Sequence, residues 1–137
     1  MKVYAAILGV TLVAATALAD SVKWATDYDK ALAQAKSEKK LVMVDVYTDW
    51  CGWCKKLDKD VYSNAKVSEK LSKDFVACKI NPEKSAQNRK LADKFGTRGY
   101  PHIVFVDGDG KKVYEISGYI PADRFAGRLD VALGKAK

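Results

Sequence analysis

An α/β domain with a central mixed β-sheet and helices on both faces is predicted by three observations. Apolar residues recur at helical spacing in several separate stretches. Two nearly unbroken apolar runs, 41–47 and 75–80, have the composition of strands covered on both faces, and the segment between them is long enough for a crossover helix. Residues 102–106 and 112–117 are two further strand-like runs joined by Asp107-Gly108-Asp109-Gly110, the form of an antiparallel hairpin.

Taken in order, 27–40 reads as a helix because Ala31, Leu32 and Ala35 recur among Lys, Gln and Glu, with Thr26 or Asp27 placed to cap it. The strand 41–47 contains one acid, Asp45. Residues 51–62 and 65–71 read as helical, 75–80 as the second buried strand, and 85–95 as a helix ended by Gly96. After the hairpin, 122–133 reads as the last helix. The order is α β α β α β β α, and no Pro/Ser-rich linker or internal repeat divides it.

A chain of 137 residues has room for one ordinary domain, and 48% hydrophobic with 30% charged residues excludes disorder, collagen and tandem repeats. The net charge of +7 is spread over helix-like segments rather than gathered into a basic stripe with interleaved aromatics, so no nucleic-acid partner is expected. Residues 1–19 read apart from the rest: Lys2, then an uncharged stretch 5–19, then Ala17-Leu18-Ala19 before Asp20. This is the pattern of a secretory signal peptide. The other reading, a membrane anchor, needs about 20 mostly apolar residues, more than this Ala- and Thr-rich stretch supplies. The expectation is a signal peptide at 1–19, a folded domain at 20–137, a periplasmic or secreted location, and no stable membrane insertion after cleavage.

Trp50-Cys51-Gly52-Trp53-Cys54-Lys55 lies where a buried strand ends and a helix begins. There a thiol meets unpaired backbone N–H groups and the positive end of a helix dipole. A free cysteine titrates near ~8.5, whereas at such positions the value falls to roughly 3.5–7.5, which favours Cys51 as an exposed, attacking thiolate. Cys54, one turn deeper on the same face, is close enough to close a disulfide and shielded enough to react second. A purely structural bridge is the plain alternative, but a four-residue loop gains only about 2 kcal/mol in the chain-entropy model. Half of a zinc site is another, yet beyond the pair the chain offers only Cys78 and His102, and no metal is expected.

With these residues in view, the chain resembles the thioredoxin superfamily over 41–133. The likeness rests on Val44-Asp45-Val46, the Cys51–Cys54 motif with Lys55 and Lys56, Lys94-Phe95-Gly96-Thr97-Arg98-Gly99-Tyr100-Pro101, and Gly118 after the hairpin. Within the superfamily it is most similar to small secreted or periplasmic proteins related to thiol-disulfide interchange proteins. The resemblance implies a thioredoxin-like fold, Cys51 as the nucleophile and Cys54 as the thiol that resolves the mixed disulfide. It implies that Asp45 is the buried acid assisting proton transfer. Independently, an acid within an apolar run should have a raised pKa, although a turn to solvent at a sheet edge is the other reading. Lys79 then corresponds to that acid's lysine partner, unless the strand is slipped by one and Cys78 stands there.

The resemblance also makes Pro101 a cis-proline; since about 94–95% of X-Pro bonds in folded proteins are trans, that expectation comes from the family alone. Tyr100, just before it, would pair through its backbone with an extended substrate segment. Trp50, Gly52 and Trp53 complete the expected substrate-binding set, either as an apolar lip or with the tryptophans simply packed. Cys78 reads as inert core, or as a thiol for another chain or for regulation; His102 reads as a hydrogen-bonded strand residue, or less readily as a metal ligand. Two departures from the commonest pattern are this Cys78 and Trp53, which stands where cytoplasmic thioredoxins usually carry Pro and leaves the direction of electron flow open.

The function expected is therefore an exported thiol-disulfide oxidoreductase that reduces protein disulfides. It would act as a monomer, without cofactor, and be recharged by a membrane-bound thiol-disulfide electron donor. An oxidase or isomerase using the same residues, and a noncatalytic binding module on the same scaffold, are the alternatives.

Overall fold

The computed structural model describes residues 21–137, so the expected signal segment 1–19 lies outside the described residues. The chain runs through β1 (Trp24–Ala25), α1 (Tyr28–Glu38), β2 (Leu41–Val46), α2 (Gly52–Lys56), a π-helical turn (Leu57–Val61) and α3 (Ala65–Asp74). It continues through β3 (Phe75–Ile80), α4 (Ala86–Phe95), β4 (His102–Val106), β5 (Lys112–Ser117) and α5 (Ala122–Lys135). One five-stranded sheet has the order β1-β3-β2-β4-β5. β1 and β2 lie parallel to β3, and β4 is antiparallel to both β2 and β5, which makes the sheet mixed.

Because β2 and β4 are central, every residue of each is buried, and alternate side chains enter opposite cores. Leu41, Met43, Ile103 and Phe105 pack beneath the π-turn, α3 and α5 through Leu57, Val61, Leu71, Phe125 and Leu129. Val42, Val44, Val46, Val104 and Val106 pack under α1 and α4 through Ala31, Ala35, Ala92 and Phe95. Each large apolar side chain fully buried in this way contributes roughly 1.5–3 kcal/mol relative to exposure. The two-sided burial fixes the register, because a slip by one residue would exchange the two cores.

Short polar side chains cap the starts of three helices. Asp27 accepts from Lys30 N at 3.1 Å, Asn64 from Lys66 N at 3.0 Å, and Ser85 from Asn88 N at 3.1 Å. α1 stops at Glu38 rather than reaching residue 40, because Lys39 turns left-handed (φ 56°) and Lys40 N bonds back to Ala35 O. In the hairpin, Asp107 Oδ1 accepts from both Asp109 N and Lys111 N at 2.9 Å. Gly108 is required there, since a Cβ would lie 2.8 Å from Lys36 Cα.

Two features differ from the sequence expectation. β1 is an added edge strand of two residues, too short to show any periodicity. The helix expected over 51–62 is α2 followed by a π-helical turn, closed by Tyr62 N to Leu57 O at 3.0 Å. The turn holds one residue more than an α-turn, a device often found beside functional sites. Among the described residues, no helix is long and apolar enough to cross a membrane.

Candidate active site

The junction after β2 places Cys51 as the N-cap of α2, with φ −77° and ψ 108°. Cys54 N donates to Cys51 Sγ at 3.1 Å, so the sulfur occupies the place a Ser or Asp oxygen takes in an ordinary cap. Cys51 and Cys54 are joined as a disulfide with their Cα atoms 5.3 Å apart. Their exposures are 5% and 2%. The expectation of an exposed Cys51 is thus corrected for the oxidised protein: little of Cys51 reaches solvent, while Trp50 (67%) and Trp53 (59%) are exposed.

The two tryptophans are oriented by partners rather than simply packed. Trp50 Nε1 donates to Glu83 Oε1 at 2.8 Å, and its ring meets Tyr100 edge-on at 5.8 Å. Trp53 lies 5.4 Å from the Tyr119 ring, over which Lys56 Nζ sits at 5.6 Å. Gly52 lies between the tryptophans, and a Cβ there would meet nothing within 4 Å. The Tyr100–Pro101 peptide bond is cis, Pro101 is buried, and Pro101 O accepts from Gly118 N at 2.9 Å.

On the α3/α5 side of the sheet, Asp45 is fully buried on a central strand and not at an edge. Burial is the dominant influence and pushes its carboxyl from 3.8 up to about 6; Lys79 and the Tyr62 hydroxyl pull the other way, and Asp58 adds to the rise. Tyr62 Oη donates to Asp45 Oδ2 at 3.1 Å, while Oδ1 has no hydrogen-bond partner. The β2–β3 register sets Asp45 opposite Lys79, so the strand is not slipped and Cys78 does not take that place. Lys79 Nζ lies 3.4 Å from Asp45 Oδ2 and 2.7 Å from Asp58 Oδ1, among the rings of Tyr47 (4.6 Å), Trp24 (5.0 Å) and Tyr62 (5.7 Å). Tyr62 itself is held protonated well above its ordinary value, first by burial and then by Asp45.

Removing the lysine's charge without its stem tests this arrangement. Lys79→Met is expected to move the Asp45 midpoint above about 6, because the lysine's field is the largest force holding it down. Carboxyl chemical shifts followed across pH would read it, and an unmoved midpoint would show that Asp58 screens the lysine.

Cys78 faces the α1/α4 core, is fully buried, and has its thiol pushed up to about 12 by burial and, secondarily, Asp27. It is not ionised near neutrality. His102 lies at the start of β4, buried and bonded through both ring nitrogens. Among the described residues, no three or more His, Cys, Asp and Glu side chains converge on a metal site.

Sequence reasoning did not single out Tyr62, Asp58, Glu83 or Tyr119. Asp58 and Tyr62 follow Cys54 by four and eight residues, a spacing that places them on its helical face, but only the π-turn brings Tyr62 to Asp45. Glu83 carries no local signal, since its partner Trp50 is 33 residues away.

The described chain matches the family model of the thioredoxin-like domain over residues 28–133. Over 96 residues it is 34% identical to the thiol:disulfide interchange protein DsbD of Actinobacillus pleuropneumoniae serotype 5b (strain L20), covering 69% of this chain and 16% of that protein. The chain thus spans less than a fifth of that relative's length. Among solved structures it is similar to a thioredoxin from Thermus thermophilus, with a TM-score of 0.75, 27% identity and coverage of 85% of this chain and 90% of the other. It also shares its fold with the oxidised C-terminal domain of Neisseria meningitidis DsbD, with a TM-score of 0.66, 22% identity and coverage of 80% and 99%.

Proposed function

Since the chain belongs to the thioredoxin-like family, we propose that it is a periplasmic or secreted thiol-disulfide oxidoreductase working as a reductase of protein disulfides. The observation that carries this reading is the Cys51–Cys54 disulfide at a helix start, with Cys51 Sγ accepting from Cys54 N. The same donor favours a thiolate on Cys51 once the pair is reduced. The similarity to proteins named for thiol:disulfide interchange supports it.

In the reduced protein the Cys51 thiolate attacks one sulfur of a substrate disulfide, forming a Cys51–substrate bond and expelling the other substrate sulfur as a thiolate. Cys54 then loses its proton and attacks Cys51 Sγ, closing the intramolecular bridge and releasing the second substrate thiolate. Two electrons pass from the dithiol to the substrate. Asp45, with a midpoint of about 6, is suited to take and return the Cys54 proton near neutrality. Trp50, Gly52 and Trp53 form the lip over which a peptide chain lies, and the Tyr100 backbone ahead of Pro101 pairs with that chain as a strand. The bridge is reopened by a dithiol on a membrane-bound donor, through the same exchange run in reverse.

Equilibration of the Cys51–Cys54 couple with glutathione tests the direction. A potential near about −270 mV is expected of a reductant, whereas one near about −120 mV would make the protein an oxidant.

A further inference from the structure

The geometry points to His102 as a positioning residue: its imidazole, bridged between Thr97 and Glu115, holds the Tyr100–Pro101 loop in the conformation that receives a peptide strand. This rests on the reading of the chain as a reductase that takes up peptide along Tyr100. The loop runs from Gly96 at the end of α4 to His102 at the start of β4 and contains a second glycine, Gly99. A Cβ at either glycine would meet nothing within 4 Å, so the 96–99 stretch is open, whereas Tyr100 packs against the α1/α4 core and Pro101 is buried.

Polar contacts hold the part of the loop that packing leaves open. Thr97 N bonds back to Ala92 O at 2.9 Å, fixing the start of the loop on α4, and Gly118 N bonds to Pro101 O at 2.9 Å near its end. Between them the His102 ring ties one end of the loop to the other: Nδ1 lies 2.8 Å from Thr97 Oγ1, and Nε2 lies 2.8 Å from Glu115 Oε2 on β5. The ring forms part of the wall of a cleft of about 320 Å³ that Arg98, Tyr100, Pro101, Glu115 and Gly118 also line. A loop released from the ring has that space to move into.

The chemistry of the bridge is determined by Glu115. An ionised carboxylate only accepts, so Nε2 carries the hydrogen, and in the neutral ring Nδ1 accepts from the Thr97 hydroxyl. Glu115 is kept ionised below the usual carboxylate range, first by the His102 bond, with Lys112 Nζ 3.2 Å away on the same oxygen. Simple core filling does not require this arrangement. On the same face of β4 the next two inward positions are Val104 and Val106, whereas position 102 places a polar ring in a buried site at a desolvation cost that its two bonds offset. The hydrogen bonds of the bridge go to the loop and β5 and none goes to Cys51 or Cys54, so its loss should weaken peptide uptake and leave the sulfur chemistry intact.

The test compares two substrates on the full chain: insulin as the protein disulfide, turned over with dithiothreitol as reductant, and dithiobisnitrobenzoate as a small one, mixed in a single turnover with pre-reduced protein freed of dithiothreitol. Thr97→Val and Glu115→Leu each remove one bond without touching the ring. Glu115→Gln keeps an oxygen that accepts from Nε2–H. The expected result is a KM for insulin raised about fivefold in Thr97→Val and Glu115→Leu, with kcat unchanged, and near-wild-type KM in Glu115→Gln. Reduction of the small disulfide should be unchanged in all three. An insulin KM that stays at the wild-type value in both bond-removing variants, or an equal loss on both substrates, overturns the positioning role. A wild-type chain inactive on both disulfides overturns the reductase reading itself, and this proposal with it, before any substitution is made.

Discussion

Cys51→Ser is expected to abolish disulfide reduction, with a rate toward insulin lower by on the order of 10³-fold or more. A serine hydroxyl is not ionised near neutral pH, whereas even an unperturbed thiol is a few per cent thiolate and far more nucleophilic. Cys54→Ser should behave differently. The first attack still proceeds, but nothing remains to free Cys51, so the substrate accumulates as a covalent adduct that dithiothreitol releases. Non-reducing electrophoresis distinguishes the two variants, and equal adduct in both, or full turnover by Cys51→Ser, would overturn the assignment of roles. Neither variant should unfold, because the lost four-residue bridge contributes only about 2 kcal/mol. Retained binding of an unfolded partner by the doubly substituted protein, with no turnover in the wild type, would favour a noncatalytic module instead.

Asp45→Asn is expected to stabilise the protein at pH 8 by on the order of 3 kcal/mol, since its carboxyl is pushed up by about two pH units and each unit is worth about 1.4 kcal/mol. The sign follows from proton counting. Between 3.8 and about 6 the folded protein holds a proton that the unfolded chain has released, so stability falls as pH rises through that window. Above about 6 the full cost of a buried carboxylate is present, and below 3.8 it is absent. The gain from the neutral amide should therefore be complete at pH 8, shrink between about pH 6 and 4, and vanish below. Urea denaturation of both proteins at several pH values reads it directly. A gain independent of pH would place its origin in packing rather than ionisation. The same substitution removes the proton acceptor, so rapid mixing should show a slower second step and an unchanged first attack.

The part of the site that could be read from the chain is the part that is local in sequence. Cys51 and Cys54 are three residues apart on one helical turn, and Asp45 is visible as the one acid in an apolar run. Gly96, ending α4 with φ 74°, and the Asp-Gly hairpin turn were readable because each depends on a backbone conformation that few residues adopt. Contacts that depend on strand register are of another kind. Lys79 or Cys78 opposite Asp45 was a question of register, and register depends on which face of β3 is covered by which helix. Tyr62 carries no such local signal, because its contact with Asp45 depends on the extra residue in the π-turn, which no periodicity announces.

Local pattern alone therefore determined the order of elements, the buried strands, the placement of two thiols where a helix opens, and an acid in an apolar setting. Periodicity and dipole effects act over a turn or a strand and are written directly in neighbouring residues. Only the tertiary structure decided that Trp50 meets Glu83 and Tyr100, that Lys79 is shared between Asp45 and Asp58, and that His102 ties Thr97 to Glu115. In each of these sets at least one partner lies more than ten residues away along the chain. It is brought near by the packing of both faces of the sheet, and the free energy of that packing is summed over the whole core.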